Sequence, residues 1–452
     1  MTIHFSPAAA PVRVRPEIPA VIEISAPLHS VTFVTFARAL PMLLCAMFAT
    51  FAAPAHAQID PATQARIDRI LKSTPLIDGH NDVPWEVREN HKSSVEGLAA
   101  DSDKRTPPMM TDMARLRAGR VGGQYWSVYL SSGFTGERAI QATFEQIDIV
   151  NRLIRAYPND LERAVTAADV VRIHKSGKIA SLMGAEGGHQ IGNSMAALRA
   201  YRAAGVGYMT LTWNNNNDWA DSGTDEPKHN GLTAFGKAVV TEMNRIGMIV
   251  DLSHVSEATM AQALDVTKAP VMFSHSNVRA LSDHPRNVPD AILKRLPANG
   301  GVVMVNAYPG HNDPAVIAWQ GSRAGEEARL ARVFPGQAER RKAALADWDK
   351  ANIRPPSPIA VMANHIDHVV KMAGYDHVGI GADLDGVPFT TAGMEDVAGY
   401  PNLFAELIKR GWSDANLAKL AGGNILRVMR GAGATAASMK DMPPSMATVT
   451  TP

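Results

Sequence analysis

Six acidic or imidazole side chains lie where apolar, β-branched stretches of the sequence end, and together they could bind metal ions. They are His80, Asp82, Glu186, His254, His275 and Asp383. Imidazole and carboxylate groups suit zinc and similar divalent ions. The single cysteine, Cys45, lies apart from them in an N-terminal apolar run. A lone histidine at a strand end is usually structural, but the joint pattern predicts a metal centre held by His, Asp and Glu.

The spacing of these residues predicts two sets of ligands. In His80-x-Asp82, alternation along an extended segment points both side chains the same way, so one ion can bind both. His254 and His275 follow adjacent predicted strands and can share a second ion. Glu186 lies between these pairs, and a carboxylate can bridge two ions about 3.5–4 Å apart. We therefore expect a two-metal centre, in which a water between the ions becomes a hydroxide nucleophile near neutral pH.

Asp383 and Arg286 are candidates for the remaining roles of a hydrolase. Asp383 ends the last predicted strand and is not needed as a ligand, so we expect it to act as the general acid/base. Asp385 is the rival, although alternation favours a turn position for it, beyond the pocket and before Gly386. Arg286 follows the sixth predicted strand, and a guanidinium suits a substrate carboxylate. From the pattern alone, Arg286 could equally be a surface residue.

These side chains require a scaffold that brings many strand ends together. Apolar stretches predict eight strands, at residues 75–78, 123–130, 179–185, 206–213, 248–253, 270–274, 301–307 and 377–382. Helical patterns occur at residues 62–71, 140–155, 167–174, 195–204, 232–245, 256–266, 290–295, 359–372, 402–409 and 413–429. This alternation implies a parallel sheet with right-handed crossovers. Eight units favour a closed (β/α)₈ barrel of the TIM type, with catalytic residues at the C-terminal strand ends.

A long insertion separates the seventh predicted strand from its helix. Residues 309–358 contain a charged helical run at residues 326–350. Because insertions after barrel strands lie at the catalytic face, this segment could form a lid. A decorative hairpin or an oligomer contact would explain the pattern equally well.

Composition and the two ends of the chain bear on partners and location. The chain has 452 residues and a formal net charge of +1, which gives no electrostatic case for nucleic-acid binding. An apolar run at residues 39–53, followed by Ala55-His56-Ala57, predicts a signal peptide cleaved after Ala57. Leu44 before Cys45 argues against lipidation. We expect an exported protein, periplasmic or secreted, without a stable membrane anchor. Its predicted segments are an N-terminal extension and signal peptide (1–57), one hydrolase domain (58–432) and a disordered tail (433–452).

The segments that carry the candidate residues resemble the membrane dipeptidase family, also called renal dipeptidase, a family of zinc peptidases on a barrel. The similarity runs in order from residue 76 to residue 388 and extends to about residue 429. It includes the segments LIDGHNDVPW, GAEGGHQIG, YMTLTWNNNNDWADS, IVDLSHVSEATM, PVMFSHSNVRAL and VGIGADLDGVP.

The resemblance implies a function and a role for each residue. Two zinc ions would share Glu186 as a common ligand. The complete set of ligands would be His80, Asp82, Glu186, His254 and His275. Asp383 would be the acid/base, and Arg286 would bind the carboxylate of the substrate. The family hydrolyses dipeptides, often with a D-residue on the C-terminal side. The expected partner is therefore a small peptide, and a homodimer is possible.

Trp213 and Tyr308 are further candidates for substrate contact. Well-known members of the family carry a histidine, thought to contact the substrate carbonyl, where this chain has Trp213. This departure leaves open both the carbonyl-polarising role and the substrate range.

Two other functions compete with dipeptide hydrolysis. The first is an amidohydrolase acting on acylated amino acids or lactams, although such barrels usually begin with His-x-His rather than His80-x-Asp82. The second is a non-catalytic exported protein that binds peptide or metal. Asp383 argues against it, because a pure binding protein needs no acid/base at that position.

Overall fold

The structure, a computed structural model, describes residues 59–449. The predicted N-terminal extension and signal peptide, residues 1–57, lie outside the described residues. Among the helices between residues 59 and 449, none is both long and apolar enough to cross a membrane.

A parallel β-barrel forms the centre of the molecule. In chain order the strands of the described range are β1 (Leu76–Asn81), β2 (Val121–Ser127), β3 (Leu161–Arg163), β4 (Ile179–Glu186), β5 (Val206–Thr210), β6 (Ile249–Asp251), β7 (Met272–Phe273), β8 (Val302–Val305) and β9 (Val378–Ile380). The ring runs β2–β1–β9–β8–β7–β6–β5–β4, and pairing of β2 with β4 closes it. The predicted (β/α)₈ barrel is confirmed, and its eight strands lie at the predicted places.

The short strand β3 was not predicted. It has three residues and pairs with the start of β4, outside the closed ring. A strand of this length is too short to show the alternation by which strands are recognised in a sequence.

Helices surround the barrel. They are α1 (Pro61–Ser73), α2 (Val83–Asn90), α3 (Met113–Ala118), α4 (Gly136–Ala156), α5 (Ala167–Lys175), α6 (Met195–Ala203), α7 (Ala234–Ile246), α8 (Glu257–Val266), α9 (Asp290–Leu293), α10 (Leu296–Asn299), α11 (Pro309–Asn312), α12 (Pro314–Val333), α13 (Ala338–Ala351), α14 (Ile359–Ala373), α15 (Tyr400–Lys409), α16 (Asp414–Ala418) and α17 (Asn424–Ser438). A π-helical turn, Lys419–Gly423, joins the last two. The sequence pattern did not predict α2, α3, α10 or α11, each of eight residues or fewer.

Two layers of apolar side chains hold the strands. Successive side chains of a strand point to opposite faces of the sheet. In β6, Ile249 belongs to the cluster inside the barrel, and Val250 belongs to the larger cluster under the outer helices. The inner cluster continues into Val170 of α5 and Leu426 of α17. Both helices therefore pack across the N-terminal end of the barrel and leave its C-terminal end free for a site.

The insertion after β8 forms an antiparallel helical hairpin, α12 and α13. Arg323 binds Asp349 through two hydrogen bonds of 2.8 and 3.0 Å, and Trp319 packs against Trp348. No residue of α13 is buried. The base of the hairpin reaches the C-terminal end of the barrel, since Gln320 donates a hydrogen bond of 2.6 Å to the Tyr308 hydroxyl.

The last helix extends past the predicted end of the hydrolase domain. Helix α17 continues to Ser438, beyond the predicted boundary at residue 433, since the alanine-rich sequence there favours helix. After it, the Ser445 amide donates to Glu242, and the Ser445 carbonyl accepts from Arg199. Residues 433–438 are therefore helical, and Ser445 contacts side chains of two helices around the barrel.

Candidate metal centre and active site

The six residues predicted from the sequence converge at the C-terminal end of the barrel. Each lies in or just after a strand: His80 and Asp82 at β1, Glu186 at β4, His254 at β6, His275 at β7 and Asp383 at β9. Parallel strands of a closed barrel end at one face. Residues about 300 positions apart in the chain are therefore neighbours.

The backbone is strained at two of these positions. His254 and Asp383 have φ angles of 68° and 65°, in the left-handed region that glycine favours. A non-glycine residue there costs about 1–3 kcal/mol and persists only where the surrounding structure holds it. The fold thus aims both side chains into the site at the expense of local stability.

Glu186 lies between two pairs of side chains. Its Oε2 atom is 3.3 Å from His80 Nε2, which is itself 3.2 Å from Asp82 Oδ2. Its Oε1 atom is 2.9 Å from His254 Nε2 and 3.4 Å from His275 Nε2. The two oxygens of one carboxylate therefore face two separate pairs of potential ligands, as the spacing predicted.

The donor set fits divalent metal ions. The ligand atoms of His80, Asp82 and Glu186 lie within 4.8 Å of one another, and the same holds for Glu186, His254 and His275. All five side chains are buried, yet His80 Nε2 and Asp82 Oδ1 have no hydrogen-bond partner. Buried polar atoms are rarely left unpaired. A cation between these groups would satisfy both atoms.

A second ring of polar groups orients the three imidazoles. His80 Nδ1 is 2.8 Å from the Tyr208 hydroxyl, and His254 Nδ1 is 2.9 Å from Asn214 Oδ1. His275 Nδ1 is 2.8 Å from the Oγ of Ser274. Such contacts fix the tautomer and the ring orientation of a metal-binding histidine. Each leaves Nε2 facing Glu186.

We expect Tyr208→Phe to weaken metal binding about 10–100-fold, because removing an outer partner of a ligand costs about that much. A chelator titration that follows metal release measures the change. Tyr125→Phe is the matched control, since the Tyr125 ring packs 5.1 Å from that of Tyr208 but bonds no candidate ligand. Equal metal affinity in the two variants would remove Tyr208 from this role.

The electrostatics of the site favour an ionised Glu186 and a neutral His254. Burial opposes ionisation of Glu186, but the positive His80 and hydrogen bonds from His254 and His275 hold its pKa well below the usual range. Burial, with the charge of Arg286, lowers the pKa of His254 to about 3. Metal ligation needs an ionised carboxylate and neutral imidazoles. Glu186 and His254 meet this requirement. Burial opposes protonation of His80, but the neighbouring Tyr208, Glu186 and Asp82 raise its pKa well above the usual value, so a bound cation would have to displace that proton.

Asp383 lies beside the candidate ligands. Its Oδ2 accepts a hydrogen bond of 2.8 Å from Asn306, and its carboxylate lies within 4.8 Å of the ligand atoms of His80 and His275. Burial raises the pKa of Asp383 to about 7, with the charge of His80 acting in the opposite direction. Cations at the neighbouring ligands would favour the carboxylate form, which is the form that accepts a proton.

A cavity of about 560 Å³ opens above the ligands and includes Arg286 in its wall. Arg286 is only 2% exposed, which excludes the surface position that the sequence left open. Its Nη2 donates to the His275 carbonyl oxygen at 3.4 Å, whereas Nε and Nη1 have no partner. Two unpaired guanidinium donors in the wall of this cavity suit an anionic group of a ligand.

Trp213 and Tyr308 also line this cavity. The Trp213 ring packs 5.0 Å from the ring of Tyr129 and 6.4 Å from that of His254. Tyr308 packs at a right angle against His311 and is held by Gln320 of the inserted hairpin. Both predicted positions therefore face the site.

Several residues of the site were not predicted from the sequence. Tyr129 and His311 line the cavity, but nothing in their local pattern marks them. Asp385 was expected beyond the pocket and that prediction is wrong, because Asp385 also lines the cavity. Its left-handed backbone turns the side chain inward, where Oδ1 accepts a hydrogen bond of 2.6 Å from the Met110 amide.

Comparison with protein families agrees with this geometry. The profile of the family described as "Membrane dipeptidase (Peptidase family M19)" matches residues 64–442. The chain belongs to the membrane dipeptidase family. It is therefore a hydrolase of the metallo-dipeptidase kind, and this membership disfavours both the amidohydrolase and the non-catalytic alternatives.

Curated members of the membrane dipeptidase family are similar over most of their length. Dipeptidase aclJ of Aspergillus oryzae is 37% identical over 424 residues, which cover 91% of this chain and 92% of that protein. Dipeptidase verJ of Clonostachys rogersoniana is 39% identical, covering 82% of this chain and 88% of the relative.

Solved structures share the fold. The probable dipeptidase PvdM from Pseudomonas aeruginosa is 26% identical and covers 83% of this chain and 99% of its own, with a TM-score of 0.71. A metallo-peptidase described as dipeptidase AC of the same family is 22% identical with a TM-score of 0.66, covering 80% of this chain and 99% of its own.

Proposed function

We propose that this protein hydrolyses free dipeptides with the help of two divalent metal ions and that these ions are zinc. The observation that carries the proposal is the position of Glu186, whose two oxygens face two separate pairs of buried ligands. His80, Asp82 and Glu186 would hold one ion, and Glu186, His254 and His275 the other. When bound, such ions lower the pKa of a water and polarise the scissile carbonyl.

Asp383 moves the proton that the reaction requires. Asn306 occupies its Oδ2 atom, so Oδ1 is the atom available for proton transfer. Peptide hydrolysis needs a base for the attacking water and an acid for the departing amine. A single carboxylate beside the ligands can serve both steps, accepting the proton from the water and delivering it to the amine nitrogen.

Arg286 selects the substrate. A dipeptide differs from an internal segment of a longer chain by its free carboxylate, one residue from the scissile bond. The Nε and Nη1 atoms of Arg286 are both unpaired, and either can donate a charge-assisted hydrogen bond to that carboxylate inside the cavity. A peptide positioned for cleavage farther from its C-terminus would leave this guanidinium buried and unpaired, which is costly.

Trp213 narrows the same cavity and bears on the range of substrates that fit it. An indole can donate only through its N–H group, and the rest of its ring is apolar. At this position the ring packs against Tyr129, so it shapes the wall of the cavity. We therefore assign Trp213 to substrate fit and leave carbonyl polarisation to the metal centre.

Arg286→Ala is expected to raise the KM for a dipeptide about 10–100-fold, because a charge-assisted hydrogen-bonded pair contributes about 1.5–3 kcal/mol. We expect kcat to change little, since the contact is the same in the ground and transition states. Steady-state kinetics on L-Ala-L-Ala and on its C-terminal amide measure both. The wild-type enzyme acting on the amide should resemble the variant acting on the dipeptide.

Arg295→Ala is the matched control for this experiment. Arg295 lies nine positions later, pairs with Asp265 and does not line the cavity. An unchanged KM for Arg286→Ala, or a wild-type enzyme that cleaves the amide as well as the dipeptide, would refute carboxylate recognition by Arg286.

Stereochemistry and location complete the proposal. Membership of the family supports acceptance of a D-residue on the C-terminal side, which a comparison of L-Ala-D-Ala with L-Ala-L-Ala tests.

We also propose that the protein is exported, on the basis of the apolar run at residues 39–53 and the following Ala-x-Ala segment. Sequencing the N-terminus of the secreted or periplasmic protein should find Gln58 first.

A further inference from the structure

A second cavity lies at the other end of the barrel from the metal ligands. It has a volume of about 720 Å³ and lies between α5, α17 and the starts of β5 and β6. Much of its wall is apolar and includes Val171 of α5, Ile249 of β6 and Met429 of α17. Cavities of this size and character hold small organic molecules.

An unpaired hydroxyl group points to a ligand there. Tyr125 lines the cavity and is fully buried, and its hydroxyl has no hydrogen-bond partner. Burial raises the pKa of Tyr125, so the group stays protonated and can donate a hydrogen bond. An unsatisfied buried hydroxyl costs about 1–3 kcal/mol. A ligand acceptor at this position would remove that cost.

A guanidinium lies near this hydroxyl. Arg202 Nη1 approaches the Val206 carbonyl oxygen at 3.5 Å, and the next residue, Gly207, approaches the Tyr125 ring so closely that an added Cβ would lie 3.3 Å from it. The Tyr125 hydroxyl and Arg202 therefore flank the same stretch of backbone in the cavity wall. A hydroxyl donor beside a guanidinium is suited to a carboxylate.

The charged side chains that line the cavity are all basic. Arg172, Lys175, Arg202 and Arg430 contribute to its wall, and the described lining residues include neither Asp nor Glu. Arg172 is engaged by Glu162 at 2.6 Å. Lys175 and Arg430 are exposed at the rim, where their charges can attract an anionic ligand. Positive groups around a low-dielectric cavity raise the local concentration of anions.

We propose that this cavity is a second, non-catalytic site for a small amphipathic carboxylate. Its carboxylate accepts a hydrogen bond from the Tyr125 hydroxyl and pairs with Arg202. Its apolar body lies along the wall formed by Val171, Ile249 and Met429. Lys175 and Arg430 attract the anion at the rim.

Titration calorimetry of the metal-loaded protein with octanoate tests the proposal, with octanamide as the neutral probe of the same length. We expect octanoate to bind with one-to-one stoichiometry and octanamide to bind about tenfold more weakly, as expected for the loss of a charge-assisted contact. Tyr125→Phe should weaken octanoate binding about three- to tenfold, by the loss of one hydrogen bond. The double variant Lys175→Glu/Arg430→Glu should weaken it further and reduce its dependence on salt.

Two controls separate this cavity from the catalytic one. Lys237→Glu changes an exposed lysine that does not line the second cavity, and octanoate affinity should stay the same. Arg286→Ala alters the other carboxylate-binding candidate and should also leave octanoate affinity unchanged. The proposal is overturned if octanoate shows no binding at millimolar concentration. It is also overturned if Arg286→Ala abolishes binding while Tyr125→Phe has no effect.

Discussion

Replacing Asp383 by Asn should lower kcat for dipeptide hydrolysis about 10²–10⁴-fold, the usual contribution of general acid/base catalysis. The amide keeps the shape of the side chain and can still pair with Asn306, so the cavity and the metal ligands should stay in place. What is lost is the ability of Oδ1 to accept and deliver a proton. Steady-state kinetics together with the metal content of the purified variant measure the two effects separately.

Asp385→Asn is the matched control for Asp383→Asn. Asp385 lies two positions away in the same cavity wall, but its Oδ1 atom is engaged by the Met110 amide, and an asparagine can still accept that hydrogen bond. We expect the control to retain kcat within about tenfold of the wild type, since no proton-transfer group is removed. If kcat of the Asp383→Asn variant falls by less than tenfold, the acid/base role belongs to another group.

Glu186→Gln should reduce turnover to the background rate and reduce the metal content to below two ions per chain. The amide carries no negative charge, and only one of its ends can act as a ligand atom, so it cannot bridge two cations. Loss of the metal centre returns the pKa of the attacking water from about 7 toward 15.7, which implies a loss of activity of about 10⁴-fold or more. Elemental analysis and dipeptide kinetics on the same preparation give both values.

Glu86→Gln provides the comparison for this variant. Glu86 also lines the cavity but is bonded to Asn90 and is not among the candidate ligands. It should retain both ions and most of the activity. If Glu186→Gln keeps two ions per chain, the bridging role fails, even if activity is lost for other reasons.

The architecture could be predicted because its signal is repeated along the chain. Eight apolar stretches separated by helical patterns allow few alternatives to a parallel barrel, and single errors do not change the result. The errors concern short or weak elements. β3 has three residues, and α2 has eight and begins directly after Asp82, where the sequence analysis identified no helical pattern. The contacts of Ser445 with Glu242 and Arg199 are not revealed by the tail sequence.

The candidate ligands could be predicted from the sequence, but the residues around them could not. Strand ends of a barrel meet at one face, so the topology alone brought Glu186 and His275 together. Tyr208 contacts His80 across 128 positions, and Asn306 contacts Asp383 across 77 positions. No local pattern distinguishes such a tyrosine or asparagine from an ordinary core residue. Asp385 was misplaced because alternation was extended into a turn with a left-handed backbone.

Metal stoichiometry tests the central claim most directly. The full-length protein, reconstituted with zinc and freed of excess metal, is measured by elemental analysis while its turnover of L-Ala-L-Ala is followed. The arrangement of two ligand pairs around Glu186 predicts two zinc ions per chain and a turnover that rises with occupancy. One ion or fewer per chain in an active preparation would contradict the two-metal centre.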